Sequence, residues 1–317
     1  MEPQVFGSVM KKLVRTLAVL LVVSFATFVL MFGNGPGIAR AVLGTKATES
    51  DVHAEMVRLG LDRPLLVQYG DWLKGVVTGN LGDSFFTGQS VTSTLSSRVP
   101  VTLALIVLAL VLTAVVSVLL GIVAAVRGGW LDRVVQFLAV LGAAVPPFIV
   151  AIGLVLAFAV SVRFFPATGY VSPDQSMTGW LKSITLPVLA LLAGSIASAA
   201  SQFRGAVMDT LSRDFVRTLR ARGISESRVV FRHVLRNAAG PGLTALNLQT
   251  IALVGGAIFI EQVFALPGLG ELSNTAAQQG DVPVVMGAVL VTIVIVLVVN
   301  VLADLANAAL NPKARTR

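Results

Sequence analysis

Cysteine is absent from this 317-residue sequence, histidine and tyrosine occur twice each, and charged residues make up only 13%. Without cysteine there are no disulfides and no thiolate metal sites. The histidines, His53 and His233, are far apart, outside the long apolar runs and without ligand spacing, so each reads as a solvated side chain. No phosphate loop of the form G-x-x-x-x-G-K-[ST] occurs: Gly179-Trp180-Leu181-Lys182-Ser183 lacks the glycine spacing. Neither H-E-x-x-H nor G-x-S-x-G is present. Glu261 and Asp304 stand at the ends of apolar runs, and no carboxylate pair lies within one. These absences speak against a membrane-embedded hydrolase or metalloenzyme. They also speak against an ion-driven carrier or channel, the main alternative for such a chain, because coupled carriers place ionisable groups at mid-membrane.

The low charge content points to the solvent. A soluble chain carries about 25% charged residues, whereas this one is 55% hydrophobic with a mean hydropathy of +0.85. Charge-free intervals cover 16–39, 99–126, 134–162, 183–203, 237–260 and 282–303. Each reaches about the 20 residues a helix needs to cross a bilayer. They are continuous rather than alternating, which favours helices over a β-barrel. The expected fold is therefore an all-α integral membrane protein with six transmembrane helices.

Charge distribution orients it. Net charge is +8, and most of the 24 basic residues fall on one side of a six-span arrangement: Lys11, Lys12, Arg15, Arg127, Arg133, eight arginines between Arg204 and Arg236, and Lys313, Arg315 and Arg317. The positive-inside bias puts both termini in the cytoplasm. Three regions follow: a cytoplasmic N-terminus with the first span (1–39), an extracytoplasmic loop (40–98), and a five-helix core (99–317) containing a cytoplasmic elbow at 204–236. The elbow is too closely bracketed by spans to leave the membrane surface, so its charge suits anionic lipid headgroups and not nucleic acid.

Leu17 to Phe32, after its basic flank, resembles a signal peptide, and Ala39-Arg40-Ala41 offers a formal cleavage pattern. With five spans behind it, an uncleaved anchor is expected. In the outer loop Leu65, Leu66, Tyr69, Trp72, Leu73 and Val76 recur at helical spacing, predicting an amphipathic helix on the outer membrane face. Gly75, Gly79 and Gly82 punctuate its end. Pro146-Pro147 must kink or interrupt the third span. The fourth has a run of small residues from Gly194 to Ser201, which lets helix backbones approach. Pro146, Pro147, Asn247, Gln249 and Asn300 are the candidates for a translocation path, with helix packing and interhelical hydrogen bonding as the alternative.

The elbow organises the rest. Asp214 is placed to cap a short helix with Phe215 and Leu219 on one face, Gly223 to end it, and Ser225 to cap a second helix through Val229, Val230 and Phe231. Asp214-Phe215-Val216-Arg217-Thr218-Leu219-Arg220-Ala221-Arg222-Gly223, followed by Phe231-Arg232-His233, resembles the coupling segment of dipeptide/oligopeptide-type ABC importer permeases. The likeness extends over nearly the whole chain. Leu59-Gly60-Leu61-Asp62-Arg63-Pro64-Leu65 with Gln68-Tyr69 and Trp72-Leu73 is similar to the outer loop of the first-permease type. Pro166 with Thr168-Gly169-Tyr170, Glu261-Gln262-Val263-Phe264 before Pro267-Gly268-Leu269-Gly270, and Asn311-Pro312-Lys313 occur in the expected order. Leu219 departs from the usual alanine, Arg222 from lysine and Asn80 from aspartate, and Asn237-Ala238-Ala239-Gly240-Pro241 lacks the usual leucine.

The resemblance implies a type I ABC importer permease in a bacterial inner (cytoplasmic) membrane, not an enzyme, with no cofactor of its own. Two permeases, the second a homologous subunit, would form the pathway. Two ATPase subunits would bind ATP and Mg and dock on the elbow. An extracytoplasmic solute-binding protein would deliver dipeptides or oligopeptides, although relatives of this type also serve nickel and haem. Asp214, Arg217, Thr218, Arg220, Ala221 and Gly223 are the implied coupling residues.

Overall fold

The computed structural model describes residues 3–44 and 46–310, with backbone alone at 3–13, 16, 241, 243–245, 247, 303, 304 and 306–310. Among the described residues the regular structure is helical, apart from an isolated bridge between Asp83 and Ser90. Asn311-Pro312-Lys313 lies outside them, as do the terminal basic residues Lys313, Arg315 and Arg317.

The helices group into two compact units. The first spans residues up to Thr102 together with Pro267–Ile295. It holds α1 (Pro3–Phe32), α2 (Gly35–Leu43), α3 (Glu49–Leu59), α4 (Leu65–Thr78) and the start of α5 (Val91–Arg127). Farther along the chain it adds α12 (Leu269–Gln279) and the first half of α13 (Val282–Leu310). Its core is built on Phe28, Ile38, Leu61, Val282 and Met286. The predicted amphipathic helix is α4, and its apolar residues divide. Leu65, Tyr69 and Trp72, at i, i+4 and i+7, pack on that core while Leu66 and Val77 stay exposed. The Tyr69 hydroxyl reaches α1, 2.9 Å from Ser24 Oγ and donating to the Leu21 carbonyl at 3.2 Å. Gly75 lies inside α4, and it is Gly79, at φ +78°, that ends the helix. Asp281, just before α13, is buried and accepts from Ser84 Oγ at 2.5 Å and the Phe85 amide at 3.1 Å.

The second unit covers Leu103–Leu266 and the chain from Val296 onward. It contains the rest of α5, then α6 (Gly129–Ala144) and α7 (Pro147–Leu154), which continues as a π-helical turn over Val155–Ser161. There follow α8 (Met177–Leu211), α9 (Asp214–Ala221), the short α10 (Glu226–Arg228), a second π turn at Val229–Val234, and α11 (Leu235–Val263). The most apolar stretch of α8 is two-thirds buried, and the helix packs against α6, α7 and α11. Small residues make this possible, as the run from Gly194 to Ser201 predicts. A Cβ built on Gly142 of α6 would lie 2.9 Å from Ala197 Cβ and 3.0 Å from the Ala193 carbonyl. One built on Gly194 would lie 2.9 Å from the Gly142 carbonyl. The two backbones touch.

Three helices are each long and apolar enough to cross a bilayer: Val91–Arg127, Met177–Leu211 and Val282–Leu302. Two bent pairs raise the number to five among the described residues. Leu17–Phe32 and Gly35–Leu43 meet at 62°, and Gly129–Ala144 and Pro147–Ser161 at 99°. Leu248–Val263 of α11 is a shorter apolar helix. The expected third span is thus sharply broken and not merely kinked. Pro146 is extended (ψ 141°) and has no N–H to continue α6, so the helix stops and restarts at Pro147.

Candidate coupling elbow

α8 runs on through Arg204 to Leu211, so the bend itself occupies 212–225. The residues expected to shape it do so with altered roles. Arg213, not Asp214, occupies the N-cap, and no side chain caps the helix. Asp214 is the first helical residue, where its carboxylate complements the positive end of the helix dipole and sits 3.8 Å from Arg217. Ser225 holds the N-cap position of α10 as expected, without a side-chain cap; its carbonyl accepts the first helical bond, from the Val229 amide at 3.0 Å. The second helix turns π-helical at Val229, burying Val229 and Val230 and leaving Phe231 64% exposed.

Gly223 ends α9 as predicted, at φ +73°, a region L side chains rarely enter. Its amide donates to the Arg220 carbonyl at 2.9 Å, and the Ile224 amide donates to the Leu219 carbonyl at 3.2 Å. This pair of bonds is the Schellman arrangement, and Leu219 and Ile224 both pack on the core beneath it. Leu219, the departure from alanine, therefore supplies the apolar contact that goes with this helix ending.

What anchors the elbow is Val216, which the sequence did not single out. It is fully buried among Phe203 and Val207 of α8, Val229 and Val234 of the π turn, and Ala238 of α11. Burying one valine contributes about 2 kcal/mol. Phe215, Leu219 and Ile224 flank it. With that face occupied, Asp214, Arg217, Thr218, Arg220 and Ala221 are exposed on the rest of the helix and Gly223 is exposed at its end. Thr218 Oγ1 donates back to the Asp214 carbonyl at 3.1 Å. The six predicted coupling residues thus share a small basic knob whose underside is fixed to two long helices.

Glu226 was also missed, because nothing in a periodic pattern links it to Arg220 across the glycine turn. Arg220 donates to it through two bonds, Nε to Oε2 at 2.9 Å and Nη2 to Oε1 at 2.5 Å. The pair clasps α9 to α10. Hydrogen bonding to Arg220 holds the Glu226 carboxyl below the usual carboxylate range and raises the arginine. Both side chains are about half exposed, so the clasp fixes geometry more than it stabilises. Because the carboxyl is depressed in the fold, its contribution is complete above the ordinary glutamate value and is lost as pH falls through the lowered one. We expect backbone protection at 220–226, followed by hydrogen exchange in the purified chain, to hold from pH 7 to 5 and fall several-fold near pH 3. Glu226→Gln should show the reduced protection at every pH, and 0.5 M salt should weaken the wild type toward it.

Of the proposed path residues, two stand at the break between α6 and α7, two on α11 and one on α13. Pro146 and Pro147 form the break between α6 and α7, and Pro147 Cγ lies 3.8 Å from a Cβ built on Gly256 of α11. Gln249 is buried and donates to Ser198 Oγ of α8 at 2.8 Å, an interhelical bond. Asn300 is half-buried on α13. Asn247 lies on α11, with its side chain outside the described residues. No cluster of side chains suited to a metal ion occurs among the described residues.

A largely helical chain with several apolar helices long enough to cross a bilayer has the architecture of a multi-pass membrane protein. Residues 117–316 match the model of the binding-protein-dependent transport system inner membrane component family, and residues 5–106 match the model of its N-terminal part. The chain belongs to this family. It is 37% identical to a putative peptide transport system permease protein of Brucella abortus (strain 2308), over 97% of this chain and 98% of that one. It is 34% identical to the dipeptide transport system permease protein DppB of Bacillus subtilis (strain 168), over 94% of each. Among solved structures, the inward-facing MetNI methionine ABC transporter shares the fold, with a TM-score of 0.53 at 20% identity over 70% of this chain and 96% of that one.

Proposed function

We propose that this chain is one of two permease subunits of an ATP-driven importer of dipeptides or oligopeptides in a bacterial inner membrane. The observation that carries the reading is the exposed elbow anchored from below by Val216. In this reading six spans place both termini in the cytoplasm, the sixth-span count being completed by α11. Two ATPase subunits, holding ATP and Mg, dock on 214–236, where Asp214, Arg217, Thr218, Arg220, Ala221 and Gly223 meet them. A homologous second permease completes the pathway, and an extracytoplasmic solute-binding protein delivers the peptide. The peptide assignment rests on the peptide and dipeptide permeases to which nearly the whole chain is similar.

The chain's part in the mechanism is mechanical. A knob fastened to α8 and to the helix leading into α11 passes a displacement at the membrane surface to both. ATP binding favours the state in which the two knobs are drawn together. The pathway changes access because the partners bind that state more tightly, with no covalent step in this chain. Affinity isolation from native membranes in mild detergent tests the proposal. It should recover a second permease and phosphate-loop ATPases, together with a solute-binding protein. Recovery of the chain alone or as a plain homo-oligomer, together with uptake driven by an ion gradient without ATP, would overturn it in favour of an autonomous carrier.

A further inference from the structure

One polar cluster in the second unit is unused by the elbow. Arg204 follows Phe203, part of the elbow's core, yet its guanidinium turns to the first turn of α6. There Nη2 donates to Asp132 Oδ2 at 2.5 Å, and Nε lies against Oδ1. The two side chains are only 20% and 22% exposed. One turn farther along α6, the Gln136 amide lies between Ser201 and Arg204. Oriented to satisfy both, it donates to Ser201 Oγ at 3.0 Å and accepts from Arg204 Nε at 3.3 Å and Nη1 at 3.1 Å. Asp132 and Gln136, at i and i+4, therefore face Ser201 and Arg204, at i and i+3. The Gly142–Gly194 contact joins the same two helices two turns deeper.

A half-buried ion pair adds little stability over an apolar pair of the same size, because desolvation offsets its attraction. What a forked arginine–carboxylate contact does supply is one fixed rotation and register. Here that register ties α6, which ends at the Pro146–Pro147 break, to the segment of α8 on which the elbow is seated.

We propose that Asp132 and Arg204, braced by Gln136 and Ser201, form a transmission lock that makes α6 up to the proline break move with the elbow as one body. They are positioning residues and touch no solute. The inference rests on the importer reading above and adds specific residues to it.

The test uses the complete transporter with its partner subunits in proteoliposomes, reading solute uptake per ATP hydrolysed. The chain has no cysteine of its own, so the double variant Asp132→Cys/Arg204→Cys introduces a unique pair within it. Unbridged, this variant should lose at least about fivefold in uptake per ATP while continuing to hydrolyse ATP, since a coupling contribution of about 1 kcal/mol already changes a ratio about fivefold. A short bifunctional thiol reagent should restore the ratio to within about twofold of wild type, because the bridge replaces the lock. Normal coupling in the unbridged variant overturns the proposal, and so does arrest of transport on bridging, which would mean that the pair must open. Arg204→Lys, which keeps the charge and loses the fork, provides a milder check. It should assemble at wild-type yield with a ratio reduced two- to threefold, and an unchanged ratio counts against the lock. Failure of the importer reading looks different: the wild-type complex itself would show no ATP-dependent uptake.

Discussion

Gly223→Pro is expected to abolish solute uptake and ATPase co-purification while leaving the membrane-embedded helices folded. The wild-type residue sits at φ +73° and its amide donates to the Arg220 carbonyl. Proline fixes φ near −65° and has no N–H, and it pushes the preceding residue toward extended backbone and away from the bridge region that Arg222 occupies (φ −81°, ψ 7°). The local cost is on the order of 3 kcal/mol, more than one buried valine returns, so α9 should separate from its seat. Gly223→Ala isolates the backbone contribution. Nothing lies within 4 Å of the added Cβ, so only the left-handed conformation is penalised, by about 1–2 kcal/mol. A partial loss of uptake, between wild type and proline, should result. Gly223→Asn, which tolerates this conformation better, should approach wild type. Wild-type uptake in the proline variant would remove the elbow from the transport mechanism. Thermal melting of the detergent-solubilised permease should barely change, because the elbow lies outside the apolar spans.

The second large effect is expected at the crossing of α6 and α8. Gly142→Leu has to fit a side chain where a single Cβ would already lie 2.9 Å from Ala197 Cβ and 3.0 Å from a backbone oxygen. Backbone cannot rotate aside as a flexible side chain does, so the helices must part. Overpacking of this kind costs about 1–3 kcal/mol in soluble cores. In lipid it also removes the close packing that holds helices together without a hydrophobic drive. Monodisperse permease in size-exclusion chromatography should fall severalfold. Gly153→Leu, on α7 with nothing within 4 Å of its Cβ, is the matched control and should behave as wild type. Equal damage from both variants would show that apolar load, not the crossing, limits folding.

Legibility in the sequence followed the range of each interaction. The apolar intervals are a property of consecutive residues, so the helical membrane character and the proline interruption could be read directly. The terminus at Gly223 was legible for the same reason, since glycine's tolerance of positive φ is intrinsic. Asp214 is the first helical residue and not the N-cap, a one-position shift that residue type alone does not fix, whereas Ser225 takes its expected N-cap position without a side-chain bond. The 99° angle after α6 was not legible either. Proline dictates that a helix stops, but the direction in which it resumes depends on what α7 packs against.

The sequence by itself determined that this chain is solvated by lipid, that it is helical, and that it carries a basic, glycine-terminated elbow between apolar runs, because these depend on composition and near-neighbour geometry. Only the tertiary structure decided that Val216 seats the elbow, that Glu226 clasps Arg220, that Gln249 bonds to Ser198, and that Asp132 meets Arg204. The last two pairs join residues 51 and 72 positions apart. Such pairings arise where small residues let helix backbones come close enough for polar side chains to meet, and that proximity is a property of the packed bundle and not of any one helix.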